Sequence, residues 1–191
     1  AFFLVGALLV PDSDLVIENV GVNPTRAELL GFLREIGAGI EVSDLRQKAG
    51  EPVADLRVRY SRVRGGIIQG ALTAALIDEI PVLAVLGAAS EEGLEVRDAS
   101  ELRLKESDRI ATVAGNLRRM GVTVEESPGG FRVPGRQRFR AAELNSHGDH
   151  RIAMAFSVAA LAADGECAIE GAEAASVSYP GFYGTLHQAA H

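Results

Sequence analysis

The sequence predicts an α/β (α+β) fold with pseudo-threefold character, in which units of helix, strand, helix, strand and strand enclose buried core helices. Three observations carry this reading. The segments Phe2 to Val10, Ile80 to Ala89 and Ile152 to Ala162 are apolar on nearly every side, as helices packed inside a domain are. Each is followed by a polar turn and a short extended stretch, at 14–18, 93–97 and 165–169, which reads as a strand entry. The run Leu33-Arg34-Glu35-Ile36-Gly37-Ala38-Gly39-Ile40-Glu41 also parallels Leu117-Arg118-Arg119-Met120-Gly121-Val122-Thr123-Val124-Glu125, and self-similarity at a distance marks a repeated unit.

Taken in order, each apolar helix and its strand lead to an amphipathic helix. Leu29, Leu33 and Ile36 lie on one face of the first, and Ile110, Val113, Leu117 and Met120 on one face of the second. Gly37 and Gly121 stand where left-handed terminators belong. Two short strands follow each terminator, near 40–42 and 54–60 in the first unit and near 122–125 and 130–133 in the second. The stretches 47–52 and 127–130 read as hairpin connections. The third copy begins at His147 and stops after a helix near Phe182 to Ala190. Residues 1–191 are expected to form one domain, with units of about 1–63, 64–140 and 141–191, the last truncated.

Composition limits the function classes. The 191 residues are 47% hydrophobic, which argues against disorder. A net charge of −7 opposes general attraction to nucleic acid or an acidic membrane surface, so neither is an expected partner and any anion site must be local. Cys167 is the one cysteine; it allows no intrachain disulfide and fits a reducing, cytoplasmic setting. The opening apolar segment lacks an initiator Met and a basic leader and reads as a helix within a longer chain. No uncharged apolar run approaches the ~20 residues of a membrane span.

The chemistry concentrates before the helices. Lys105, Glu106 and Arg109 surround Ser107 and Asp108, two capping residue types, at the start of the second amphipathic helix. Cations there oppose the helix dipole, whereas with free backbone N–H groups they suit a phosphate or carboxylate. The alternative is a Glu106–Arg109 pair on a solvated face. Gly148-Asp149-His150-Arg151 repeats the theme before the third core helix. The segment His147-Gly148-Asp149-His150 offers two histidines but no further partner at useful spacing, so no metal is expected. Asn23-Pro24-Thr25-Arg26 is again a helix start with an Arg, for which the capping box Thr25 to Glu28 is the structural account. Asp78 precedes the second core helix either as a cap or as an active-site base. Arg62, Arg64, Gly65 and Gly66 read as a solvated hairpin, and Tyr179 and Phe182 as packing aromatics.

The run Glu101 to Ile110, the preceding Leu76-Ile77-Asp78-Glu79-Ile80-Pro81, the later Gly148-Asp149-His150-Arg151, and also Asn23-Pro24-Thr25-Arg26 and Ser178-Tyr179-Pro180-Gly181-Phe182 together resemble the 5-enolpyruvylshikimate-3-phosphate synthase family. They occur in family order and span essentially the whole chain. The resemblance implies the enolpyruvyl transferase fold, two similar lobes of three units each with the active site in the cleft between them. The chain resembles the C-terminal lobe. It further implies transfer of enolpyruvyl from phosphoenolpyruvate to the 5-hydroxyl of shikimate 3-phosphate with release of phosphate, a step toward the aromatic amino acids, with no cofactor and with glyphosate competing at the donor site. By motif, Asp78 contacts the shikimate hydroxyls as candidate base, Glu106 moves the proton at the enolpyruvyl carbon, and Lys105 lies between the substrates as a further catalytic residue that shares in proton transfer. Arg109 and Arg151 bind the phosphate and carboxylate of phosphoenolpyruvate, supported by His150.

The sequence departs from the family where Ser176-Val177-Ser178 precedes Tyr179-Pro180, since some members carry a Lys there. The N-terminal lobe's early Lys and Ser, its Gly-rich donor loop and its Ser-Ser-Gln motif have no counterparts. The N-terminal lobe is thus an expected partner, and the isolated chain is expected to have negligible synthase activity. The rival readings are a lobe of the sister transferase acting on a UDP-sugar, and a noncatalytic anion-binding or scaffold domain.

Overall fold

A computed structural model describes residues 1–23 and 28–190. The predicted helix start at Asn23-Pro24-Thr25-Arg26 lies largely outside the described residues. The first unit contains α1 (Phe2–Leu9), β1 (Asp14–Gly21), α2 (Glu28–Glu35), β2 (Ile40–Lys48) and β3 (Glu51–Arg59). The second contains β4 (Gly65–Ile68), α3 (Ala71–Ala75), α4 (Ile80–Ala89), β5 (Gly93–Val96), a 3₁₀ turn at Ser100–Leu104, α5 (Arg109–Arg119), β6 (Glu125–Ser127) and β7 (Gly130–Val133). The third contains β8 (Glu143–Asn145), α6 (His150–Leu161), β9 (Ala168–Glu170), a 3₁₀ turn at Ala172–Val177 and α7 (Phe182–Ala189).

The all-round apolar helices are the core. In α4 every residue from Ile80 to Ala88 is buried, with Pro81 in the first turn, where its missing N–H costs no intrahelical bond. α1, α4 and α6 pack against one another, and the main apolar cluster joins residues of all three units, among them Leu8, Leu83, Leu117 and Phe156. The sheets lie outside these helices, in the orders β1-β3-β2, β4-β5-β7-β6 and β8-β9. α2 and α5 end alike. In α2 the amide of Ala38 reaches Leu33 O and that of Gly37 reaches Arg34 O; in α5 Val122 reaches Leu117 O and Gly121 reaches Arg118 O. Gly37 and Gly121 have φ of 93° and 80°, the left-handed terminators that the repeat predicts.

Two expectations change. Gly65 and Gly66 open β4, a buried-end strand parallel to β5 with Gly65 opposite Gly93, rather than a solvated hairpin. β8 and β9 form a second parallel pair. The repeat therefore carries a leading strand in its second and third units. Neither strand shows an alternating pattern, because pairing with a partner far along the chain, not local preference, fixes each. The aromatic prediction agrees with the packing: Phe182 is buried and meets Phe2, Phe3, Tyr179 and Tyr183 in edge or tilted contacts, where α7 covers α1 and α6.

On the outer face of the first sheet Asp14 sits between Arg57 and Arg59. The bond from Arg57, and then the two positive charges, lower its pKa to about 2. This exposed cross-strand pairing fixes register more than it stabilises.

Candidate active site

The start of α5 is built by its cap. Asp108 Oδ1 accepts from the amide of Ala111 at 3.0 Å, and Arg103 holds Asp108 from outside through an Nη1 bond of 2.8 Å. The same guanidinium donates to the carbonyls of Ser127 and Pro128, each at 2.9 Å, so the turn of the β6–β7 hairpin is tied to the segment that carries Lys105, Glu106 and Arg109. Lys105 Nζ reaches Glu101 Oε1 at 2.6 Å, across the 3₁₀ turn. Asp149 caps α6, accepting from the Arg151 amide at 2.9 Å. Asp78 does not cap α4, whose cap position is Glu79.

Arg109 joins all three helix starts. Its side chain is 1% exposed, so a solvated-face pair with Glu106 is excluded. Nε donates to Asp149 Oδ2 at 2.9 Å, Nη1 to Asp78 Oδ1 at 2.9 Å and Nη2 to Glu106 Oε2 at 2.6 Å. One guanidinium thus links the residues before α4, α5 and α6, and its planar fork is what makes three-way pairing possible. Burial works against its charge, but the bonds and charges of Asp149, Asp78 and Glu106 outweigh that and raise its pKa.

Arg151 approaches from the first turn of α6. Its Nη atoms lie 3.4 Å from the Asp78 carbonyl, 3.5 Å from Asp78 Oδ2 and 3.6 Å from Glu79 Oε1. Its Nε is buried and has no acceptor among the described residues. Arg151 is a cation with long, weak contacts and a donor to spare. His150 is the first residue of α6 and half-buried. Asp78, Lys105, Glu106, Arg109, His150 and Arg151 therefore lie at or just before these helix starts, with direct bonds joining Asp78, Glu106, Arg109 and Arg151.

Asp149 was legible as a cap only. It is wholly buried and also accepts from Ser107 Oγ at 3.0 Å. Arg103 and Glu79 were likewise not singled out by their pattern. Burial opposes ionisation of Asp149, yet the bond and charge of Arg109, the Arg151 amide and Ser107 outweigh it and hold its pKa below the ordinary 3.8. A depressed folded-state pKa means that this carboxylate's stabilisation is complete above the unfolded value and is lost as pH falls through the folded one. Urea midpoints measured from about pH 7 down to about pH 2 should therefore stay level with respect to this group until below 3.8, then drop. The Asp149→Asn protein should show a shallower acid limb.

A cleft of mixed character, lined by Phe3, Val10, Asp12, Asp14, Leu161 and Leu186 among others, lies instead toward the C-terminal ends of α1 and α6. None of Asp78, Lys105, Glu106, Arg109, His150 and Arg151 lines it.

The family profile for EPSP synthase (3-phosphoshikimate 1-carboxyvinyltransferase) matches residues 1–186. The chain belongs to the EPSP synthase family. Over 190 residues it is 60% identical to the 3-phosphoshikimate 1-carboxyvinyltransferase of Solibacter usitatus, covering 100% of this chain and 45% of that protein. It is 52% identical to the enzyme of the same name from a Synechococcus species, covering 98% of this chain and 42% of the other. The EPSP synthase structure from Acinetobacter baumannii superposes with a TM-score of 0.92 at 36% identity, over 98% of this chain and 44% of that one. The enolpyruvyl transferase NikO from Streptomyces tendae shares the fold, with a TM-score of 0.77 at 19% identity. The chain thus spans less than half the length of these EPSP synthase relatives. None of these EPSP synthase relatives is named as a UDP-sugar transferase. Among the described residues no helix is long and apolar enough to cross a membrane.

Proposed function

We propose that this chain forms one wall of an enolpyruvyl-transfer cleft, moving enolpyruvyl from phosphoenolpyruvate to the 5-hydroxyl of shikimate 3-phosphate with release of phosphate. The observation that carries the proposal is Arg151, whose buried Nε has no acceptor among the described residues, beside a second arginine that already joins three helix starts. A phosphate or carboxylate of the donor supplies this guanidinium with a stronger acceptor than its long contacts to Asp78 and Glu79.

In this reading Arg109 and Arg151 hold the anionic ends of phosphoenolpyruvate, with His150 supporting them and Lys105 between the substrates. Asp78 and Glu106 have half-exposed side chains, 44% and 50%, and remain reachable by ligand. Asp78 takes the proton of the attacking 5-hydroxyl and Glu106 moves the proton at the enolpyruvyl methylene carbon. The addition develops charge at both partners, and fixed cations placed in advance stabilise it without reorganising. The bound arginines and carboxylates need no further cofactor for these steps. The opposing wall comes from the part of the relatives' length that this chain does not span, and the setting is cytoplasmic. Glyphosate is expected to compete for the donor's place.

Calorimetry with phosphoenolpyruvate and shikimate 3-phosphate, run with and without the N-terminal half of the Solibacter usitatus relative, tests the proposal. Heat of binding is expected only with both halves present, and Arg151→Gln is expected to weaken donor binding about tenfold or more. Donor affinity unchanged by Arg151→Gln would overturn the assignment. Binding without turnover would favour a scaffold instead.

A further inference from the structure

We propose that Asp149 is the positioning residue of this site: it pins Arg109 through Nε, so that the outer Nη edge of the same guanidinium is presented to exchangeable partners. The identity of the ligand that takes that edge rests on the enolpyruvyl-transfer reading; the pivot itself rests on geometry.

The three carboxylates on Arg109 are not equivalent. Asp149 is 0% exposed, whereas Asp78 and Glu106 are 44% and 50% exposed. Asp149 is also over-determined. Oδ2 accepts from Arg109 Nε at 2.9 Å and from Ser107 Oγ at 3.0 Å, while Oδ1 accepts from the Arg151 amide at 2.9 Å and more distantly from Arg109 Nη2 at 3.4 Å. A carboxylate held by four donors on two helix starts has no second place to go. Asp78 and Glu106 precede their helices and reach Arg109 through Nη1 and Nη2 alone, and ion pairs with half-exposed partners are weakly held.

An arriving anion can therefore replace Asp78 and Glu106 on the Nη edge while the Nε bond keeps the guanidinium plane fixed. Such replacement also releases the two carboxylates from their cation. Because the same Asp149 accepts the Arg151 amide, one buried group sets the placement of both arginines. Other cations fix neither bond: Lys105 is turned to Glu101 and Arg103 to Asp108.

Nitrogen-15 NMR on the labelled 191-residue chain, following hydrogen exchange at the Arg109 Nε–H, tests the pivot without substrate. Slow exchange is expected in the native chain and in the Asp78→Asn/Glu106→Gln double variant, within about twofold of each other. Asp149→Asn keeps an acceptor for the Arg151 amide but not the charge on Nε, and should exchange at least about tenfold faster. Equal protection in Asp149→Asn, or a comparable loss in the double variant, would overturn the proposal. Should Asp149→Asn fail to fold, Ser107→Ala carries the test: exchange about threefold faster is expected, and an unchanged rate would contradict it. Donor binding plays no part in this readout, so a failed pivot and a failed enolpyruvyl-transfer reading give separate signatures.

Discussion

Replacing Arg109 by Met should lower the stability of the chain by about 3–5 kcal/mol, read as a shifted urea midpoint with an unchanged slope. Met fills much of the volume, so the loss is electrostatic. Asp149 is wholly buried and has Arg109 as its ion-pair partner; removing that cation leaves a buried carboxylate uncompensated. The variant's pH dependence should also invert at this group, since a buried, unpaired carboxylate is easier to accommodate when protonated. Arg109→Lys should recover only part of the loss, because an ammonium cannot span Asp149, Asp78 and Glu106 in one plane. A loss below about 1 kcal/mol in Arg109→Met would show that the pair is a surface-like contact.

Asp78→Asn should have the opposite profile. Its carboxylate is half-exposed and its partners Arg109 and Arg151 retain other acceptors nearby, so stability should change by less than about 1 kcal/mol. In the enzyme completed by a complementary N-terminal half, kcat should fall about 10²- to 10⁴-fold, the range lost with a general base. Steady-state kinetics beside a denaturation curve separate the two effects. A fall in kcat under about tenfold would remove Asp78 from the proton-transfer role.

The contrast between these residues shows what the sequence could express. The core helices were legible because α1, α4 and α6 are apolar on every side, and the ends of α2 and α5 because a glycine follows the last apolar position at Gly37 and Gly121. These are local patterns with local causes. β4 and β8 were not legible, since four and three residues respectively without alternation become strands only by pairing with β5 and β9. The same distinction governs the site. Arg109 and Arg151 were visible as cations placed against the helix dipole, and the family motifs gave Asp78, Lys105, Glu106 and His150. The burial of Arg109 was not visible, because its partners Asp78 and Asp149 lie 31 and 40 residues away. Asp149 looked like a cap and is one; its second role exists only once α5 and α6 have packed.

Phosphate release measured with both substrates present tests the central claim, that these three helix starts form one wall of a two-walled cleft. The account predicts sustained release when the chain is combined with the complementary N-terminal half, loss of that release with Arg151→Gln, and negligible release from the chain alone. Robust phosphate release by the purified chain alone would contradict it.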